Sequence, residues 1–209
     1  MAREVFTRYE RKFMIHEAQA RTLAHRLLEF MDPDPHSGID GSYTISNIYF
    51  DTADSTLIRT SLAKPVYKEK LRLRAYGKPM LDSRAFLEIK KKYKGRVNKR
   101  RVTLSLREAY AFAESGCGPD PAAGANAQIV REIEHVMASH ELLPRIYIAY
   151  DRRAFASASD PGLRITFDSN IRTRRDDLRL EHGDRGEPLL DPGQRSEERR
   201  VGKECATGC

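Results

Sequence analysis

Charged residues at every second position are the feature of this sequence that most limits how it can fold. In residues 70–76, the cations Lys70, Arg72 and Arg74 alternate with two leucines and an alanine. Because successive side chains of a β-strand point to opposite faces, such a strand has one cationic face and one apolar face. Four further segments alternate in the same way, and their ionic positions are Arg8, Glu10 and Lys12, then Glu88 and Lys90, then Lys99 and Arg101, and finally Arg164 and Asp168. The sequence therefore predicts a sheet whose strands carry one apolar and one ionic face.

An ionic sheet face can lie in solvent or line the inside of a barrel. For any single strand of this kind, an ionic face in solvent is the simpler interpretation. A solvated face, however, usually mixes Ser, Thr, Gln and both charges more evenly than these strands do. Inside a barrel, cations about 7 Å apart repel by ~2–3 kcal/mol per pair at an effective dielectric of about 20. A barrel with this face inward would therefore be hydrated and would bind a polyanion. The interspersed acids Glu10, Glu88 and Asp168 would offset part of the charge or hold a divalent metal.

Periodicity gives a coarse map of the elements. Alternating patterns predict strands at 5–15, 43–51, 67–76, 84–92, 96–106, 145–155 and 163–168. Helical spacing of apolar residues predicts helices at 16–30, 52–62 and 125–142. The Gly- and Pro-rich residues 116–124 predict a loop. Many antiparallel strands with few helices indicate an α+β fold with a closed or nearly closed sheet.

The excess of cations indicates an anionic partner. The 209 residues carry a formal charge of +7, and 40% of them are hydrophobic, which is typical of a folded protein rather than a disordered basic arm. Nucleic acid, a phospholipid surface and a phosphate compound all fit this charge. The basic run at 90–101 contains a single aromatic residue, Tyr93, which argues against a nucleic-acid surface. HExxH and the usual phosphate-binding loops are absent, and no apolar run reaches the length of a membrane span.

Residues 195–209 read RSEERRVGKECATGC and stand apart from the rest of the chain. Residues 195–205 resemble, position by position, the translation of a common sequencing adapter, and the alternative is a natural charged tail. We therefore predict one domain at 3–194 and a non-native tail at 195–209. Outside the tail, Cys117 is the only cysteine, so we expect no internal disulfide and a reducing, cytoplasmic location.

Seven ordered segments resemble the catalytic domain of the VTC-type polyphosphate polymerases, a branch of the triphosphate tunnel metalloenzymes. They are RYERKF (8–13), SNIYFDT (46–52), KLRLRAYG (70–77), FLEIKKK (86–92), KRRVTL (99–104), PRIYIAYDRRAF (144–155) and LRITFD (163–168). The resemblance implies an α+β fold, an antiparallel eight-stranded β-barrel tunnel with flanking helices. The cyclase branch begins with Glu-x-Glu-x-Lys, whereas this chain has Arg8-x-Glu10-x-Lys12, which favours the polymerase branch. Because the family has a further strand with a metal-binding Glu where the adapter-like tail begins, we expect a tunnel that is incomplete at the C-terminus, without that strand or a terminal helix.

The resemblance also implies site residues and chemistry. It assigns catalytic roles to Arg72, Arg74, Lys90, Arg152 (or its neighbour Arg153) and Arg164, substrate binding to Lys12, Lys99 and Arg101, and metal binding to Glu10 and Glu88. The implied partners are ATP and inorganic polyphosphate, without nucleic acid, and the implied cofactor is Mn²⁺ or Mg²⁺. The implied activity is transfer of the γ-phosphoryl group of ATP to a growing polyphosphate chain, in the complete protein and not in a chain without its last strand. A metal-dependent triphosphatase and an inactive polyphosphate-binding module are the alternatives.

Overall fold

The computed structural model describes residues 5–38, 41–94, 96–120, 127–160, 162–191 and 193–201. Within these residues the strands are β1 (Val5–His16), β2 (Met31–Pro33), β3 (Tyr43–Asp51), β4 (Tyr67–Tyr76), β5 (Arg84–Tyr93), β6 (Arg96–Ser105), β7 (Leu143–Ser157), β8 (Arg164–Arg174), β9 (Glu187–Pro188) and β10 (Gln194–Val201). The helices are α1 (Glu17–Leu27), α2 (Thr56–Leu62), α3 (Leu106–Ser115) and α4 (Ala127–His140). None of the helices in this described part combines the length and the apolar character that a membrane span requires.

Eight strands form a ring in which every neighbouring pair is antiparallel. Around the ring the order is β3, β4, β5, β6, β1, β10, β8 and β7. β7 pairs with β8 on one side and with β3 on the other, so the ladder of hydrogen bonds returns to its first strand. The short strands β2 and β9 are attached to β7 and β8 outside the ring. The predicted α+β fold, an antiparallel eight-stranded tunnel with flanking helices, is confirmed.

β10 occupies the place of the strand that is predicted to be missing. It lies between β1 and β8, where Glu198 is opposite Lys12 on one side and Thr166 on the other. A ladder position needs backbone donors and acceptors, which every residue of this segment supplies, and Glu198 adds a charge complementary to Lys12. The first residues of the predicted non-native tail therefore complete the ring. Residues 202–209, the rest of that tail, lie outside the described residues, and the origin of the tail stays a prediction.

The predicted elements differ from the observed ones mainly at their ends. The strands predicted at 43–51 and 67–76 coincide with β3 and β4, whereas β8 continues well past its predicted end. Helix α3 is absent from the prediction, which assigns residue 106 to a strand. Ser105 starts α3 because its hydroxyl accepts a hydrogen bond from the Glu108 amide, while the Glu108 carboxylate accepts one from the Ser105 amide. Of the predicted loop at 116–124, residues 121–124 lie outside the described residues.

The apolar faces of the ring strands point outward and are covered by helices. Leu71 and Leu73 of β4 are fully buried in one cluster with Phe112 of α3 and Ile133 of α4. Full burial of a leucine or phenylalanine side chain contributes about 1.5–3 kcal/mol to the free energy of unfolding, relative to leaving the side chain in water. A second cluster lies under α1 and consists of Ala20, Ala24, Leu27, Met31, Phe155, Ile165 and Phe167. Since the helices take the outside of the ring, the alternating ionic residues face the space that it encloses.

Candidate functional site

The inward faces of the ring strands bring together every cation that the sequence predicts as a site residue. We call the enclosed space the lumen, and the lumen cations are Lys12, Lys70, Arg72, Arg74, Lys90, Lys99, Arg101, Arg152 and Arg164. The strand registers place Arg72 opposite both Tyr49 of β3 and Glu88 of β5. Segments far apart in the sequence thus contribute to one ionic surface.

Glu88 is the buried counter-ion of three lumen cations. Its side chain is 1% exposed and accepts a hydrogen bond of 2.7 Å from Arg72 Nε. The Lys99 ammonium lies 2.5 Å from its other oxygen, and Arg74 Nε lies at 3.9 Å. Burial opposes ionisation, but the charges of Arg72, Arg74 and Lys99 outweigh it and hold the pKa of Glu88 below its usual range. Glu88 is therefore a carboxylate that holds cations from two neighbouring strands in place.

Uncharged groups orient the two arginines of β4. Arg72 Nη1 donates to the Tyr49 hydroxyl at 3.1 Å. Arg74 donates to the Asn47 side-chain oxygen and to the Tyr150 hydroxyl, both at 2.9 Å. Burial raises the pKa of Tyr49, but the charges of Arg72 and Arg74 outweigh it, and the net effect is a lowered pKa. Asn47, Tyr49 and Tyr150 are not among the site residues predicted from the sequence, although Asn47 and Tyr49 stand at alternate positions of the SNIYFDT segment.

Arg152 forms a bidentate ion pair in the lumen. Its Nε and Nη2 atoms donate to the two oxygens of Asp168, each at 2.7 Å. Both side chains are buried, and the guanidinium also lies over the Tyr150 ring. The neighbouring Arg153 is exposed and lies over the outward-facing Phe155. Of the two adjacent arginines that the sequence leaves open, Arg152 is the one that faces the lumen.

Three of the remaining predicted cations, Lys90, Lys12 and Arg164, also contact carboxylates. Lys90 contacts Glu10 at 2.7 Å, and Lys12 contacts Glu198 of β10 at 2.8 Å. Arg164 lies at the rim of the ring, where Asp34 accepts from its Nη2 atom. The same nitrogen lies 3.1 Å from the Tyr43 hydroxyl, and Arg101 lies over the Phe86 ring. The lumen of the described chain is thus a network of internal ion pairs as well as a cationic surface.

Among the described residues, the carboxylates of the lumen do not form a site that fits a divalent metal. No three His, Cys, Asp or Glu side chains are grouped to hold an ion in the part of the chain that the structure describes. Mn²⁺ and Mg²⁺ take several oxygen ligands at once. Glu10 and Glu88, the predicted metal ligands, are on different strands and each contacts a lysine. Their role as metal ligands stays a prediction.

Lys70 differs from the other lumen lysines and is not among the site residues predicted from the sequence. It lies on β4 directly opposite Lys90 of β5. Lys12, Lys90 and Lys99 each contact a carboxylate. Within the described residues, Lys70 has no hydrogen bond and no ion pair. The named lumen cations therefore outnumber the carboxylates that pair with them.

Comparisons with known proteins agree with this geometry. The family model described as "VTC domain" matches residues 7–201. The chain is 27% identical over 164 residues to vacuolar transporter chaperone complex subunit 4 of Trypanosoma brucei brucei, covering 66% of this chain and 21% of that protein. The chain thus spans about a fifth of the length of this curated relative.

Two solved structures share the fold. A candidate adenylate cyclase of Bacillus halodurans has a TM-score of 0.57 at 16% identity, covering 97% of this chain and 83% of that one. The candidate adenylyl cyclase HpAC1 of Hippeastrum, described as having a dominant triphosphatase activity, has a TM-score of 0.51 at 14% identity, covering 94% and 80%. At these identities the likeness shows the fold alone.

Proposed function

Because this chain belongs to the VTC domain family, we propose that its lumen binds ATP and inorganic polyphosphate and transfers the γ-phosphoryl group of ATP to the polyphosphate end. The observation that carries the proposal is the set of inward cations on different strands, which suits an extended polyanion better than a compact one. Arg72, Arg74 and Arg152 lie at its centre, where Arg74 and Arg152 are buried and the Arg72 side chain is 17% exposed. Each presents a planar guanidinium, which binds phosphate oxygens with two parallel hydrogen bonds.

Arg74 is the arginine best placed to bind the transferred phosphoryl group. Its Nε and Nη2 atoms donate to the uncharged Asn47 and Tyr150, and its Nε atom is 3.9 Å from the Glu88 carboxylate. A phosphate oxygen can therefore bind Arg74 without first displacing a close ion-pair partner. Arg72 and Arg152, by contrast, exchange a carboxylate for phosphate when the ligand enters.

The reaction needs positioning and charge neutralisation more than covalent help. A terminal oxygen of the polyphosphate attacks the γ-phosphorus of ATP, the bond from that phosphorus to the β-γ bridging oxygen breaks, and ADP leaves. Negative charge on the oxygens of the transferred group is met by the guanidinium groups of Arg72, Arg74 and Arg152. Lys12, Lys90 and Lys99 act as point charges along the chain of phosphates. No side chain acts as a nucleophile.

A triphosphatase is the second candidate, because HpAC1 shares the fold and is described as having that activity. In that reaction water replaces the polyphosphate end as the acceptor. A binding module without activity is the third, since the internal ion pairs of the lumen hold its cations in place without a ligand. The exposed, unpaired thiol of Cys117 is compatible with the cytoplasmic location that we propose for all three.

One assay separates these functions. The protein is given ATP with Mg²⁺ or Mn²⁺, with and without a short polyphosphate primer, and the products are resolved by size. A polymerase releases ADP and builds a ladder of phosphate chains, and the primer shortens any lag. A triphosphatase releases orthophosphate and gives no ladder, whereas a binding module does neither but melts at a higher temperature with tripolyphosphate.

Two variants serve as controls. Arg74→Gln removes a buried lumen charge and should abolish the ladder, while Lys78→Gln removes an exposed charge outside the lumen and should not. Release of orthophosphate without chain growth would overturn the polymerase assignment and keep the phosphate-binding lumen. A preference for DNA or RNA over tripolyphosphate, with a steep loss of affinity in salt, would overturn both.

A further inference from the structure

Five large apolar side chains are exposed at one end of the ring, where β4 begins and β5 ends. Each is 42–72% exposed, and they are Ile58, Leu62, Val66, Tyr67 and Tyr93. Helix α2 packs against β4, and the Lys68 ammonium of β4 donates to the Ser61 carbonyl oxygen of α2 at 3.1 Å. Tyr67 is directly opposite Tyr93 across β4 and β5. Exposed apolar side chains grouped in this way are typical of a surface that a partner or a membrane covers.

Helix α2 carries part of this apolar surface on its outward face. Its residues Ile58 and Leu62 are four positions apart and therefore share one face of the helix. The inward face is already packed, since Ser61 is buried and Leu57 lies against the core. Ile58 and Leu62 are thus not needed to attach α2 to the ring.

Cations without acidic partners lie beside these apolar side chains. Lys64 follows α2, Lys94 follows β5, and Arg96 begins β6. The Lys94 amide donates to the Val66 carbonyl oxygen at 3.0 Å, and the Lys94 ammonium lies 5.4 Å from the centre of the Tyr93 ring. All three cations are exposed, and none of them forms an ion pair within the described residues. We call these five apolar and three basic residues the rim patch.

From this combination we infer that the rim patch docks on the surface of an anionic phospholipid membrane. The aliphatic side chains would enter the boundary of the acyl chains, the tyrosines would lie at headgroup depth, and the cations would contact headgroup phosphates. The inference goes beyond the proposed function, because the rim patch contains none of the lumen cations and its ligand is a surface outside the ring.

The acids near the rim patch leave its positive charge in place. Glu69 accepts a hydrogen bond from the Tyr67 hydroxyl at 2.7 Å and contacts His140, and its side chain is only 11% exposed. Asp54 is paired with Arg59 of α2 at 2.6 Å. An anionic lipid surface fits this charge better than an acidic protein does, because mobile headgroups can move to cations that no ion pair holds in position.

Co-sedimentation of the full chain with vesicles tests the rim patch. One set of vesicles is an equal mixture of phosphatidylcholine and phosphatidylglycerol, and the other is phosphatidylcholine alone. We expect binding to the mixed vesicles and little binding to the neutral ones. A variant that combines Lys64→Gln, Lys94→Gln and Arg96→Gln should bind the mixed vesicles about a hundredfold more weakly, which is about fivefold for each cation.

Leu62→Ser and Val66→Ser test the apolar part of the rim patch separately. Each should weaken binding to the mixed vesicles about tenfold, because an aliphatic side chain no longer enters the membrane. Their melting temperatures should not change, since both side chains are exposed. The matched controls are Lys78→Gln and Met80→Ser, which alter exposed residues beyond the opposite end of β4 and should bind like the unmodified chain.

Several results would overturn the inference. The unmodified chain could fail to bind the mixed vesicles, or the controls could lose as much binding as the rim variants, which would indicate attraction through the net charge of +7 alone. Loss of binding in the charge variant without loss in either serine variant would exclude apolar insertion. A dimer in solution that Leu62→Ser dissociates would assign the rim patch to a second copy of the chain. Tripolyphosphate binding should be the same in every variant, so failure of the proposed function would leave vesicle binding unaffected.

Discussion

Replacement of Glu88 by Gln should weaken the unliganded fold and make it depend on phosphate. Glutamine keeps the size of the side chain and removes the charge that Arg72 and Lys99 contact at 2.7 and 2.5 Å. Glu88 is 1% exposed, so water does not replace the lost interaction. Removing one partner of a buried ion pair costs about 3–5 kcal/mol. At roughly 2–4 °C per kcal/mol for a chain of this size, the melting temperature should fall by about 10 °C.

A bound phosphate chain should reverse this loss, because it supplies negative charge to the same cations. Thermal melts followed by circular dichroism, with and without tripolyphosphate, measure both effects. Tripolyphosphate should raise the melting temperature of Glu88→Gln more than that of the unmodified chain. Glu114→Gln is the control, since Glu114 is 76% exposed and its nearest cation is 3.9 Å away. If Glu88→Gln melts like the unmodified chain, or if tripolyphosphate raises its melting temperature no more than that of the unmodified chain, Glu88 is not the counter-ion that stabilises these cations.

Three further predictions follow from the lumen and from β10. Arg74→Ala should weaken tripolyphosphate binding, measured by calorimetry, by roughly tenfold to a hundredfold. The melting temperature of this variant should fall less than that of Glu88→Gln. A large loss of stability with intact binding would contradict a role of Arg74 in binding phosphate. The pKa of Glu88 is lowered from 4.5, so the stability that ionised Glu88 contributes is complete above that pH and is lost as the pH falls below it. When both proteins are titrated with acid, the free energy of unfolding of Glu88→Gln should therefore fall less steeply than that of the unmodified chain. Parallel curves for the two proteins would exclude Glu88 as the source of the acid sensitivity. Glu197 is 1% exposed, lies opposite the apolar Phe167, and within the described residues forms an ion pair with the half-exposed Arg199. Replacement of this buried carboxylate in Glu197→Leu should raise the melting temperature by a few degrees, whereas a fall would show that the carboxylate is needed.

The alternation of charges in the sequence predicts the ionic strand faces that line the lumen. Strand period alone places Lys70, Arg72 and Arg74 on one face, and the burial of Leu71 and Leu73 on the other face confirms it. This prediction succeeds because strand direction is a local property of the backbone. The ends of elements are less predictable, as the extension of β8 to Arg174 shows, because strand length depends on what the neighbouring strand offers.

Contacts across the ring could not be predicted from the sequence. Glu10 reaches Lys90, and Lys12 reaches Glu198, because of the register and tilt of strands that are distant in the chain. The period of the strands does not predict which cation lacks an ion-pair partner. The absence of such a partner for Lys70 within the described residues is therefore visible only in the structure. Helix α3 is a different case, since the sequence contains its Ser-x-x-Glu start at Ser105 and Glu108, but the alternating pattern before it extends the predicted strand to residue 106.

The position of β1 within the ring has a consequence for how the protein is made. β1 pairs with β6 through its first residues and with β10 through the rest, so Tyr9 lies opposite Val201 across nearly the whole chain. During synthesis the ring cannot close until β10 has left the ribosome. Until then β1 and β8 are open edges, which invite pairing with other chains. Contacts of such long sequence separation slow folding, so the rate of ring closure, more than final stability, should determine how much of this protein accumulates in soluble form.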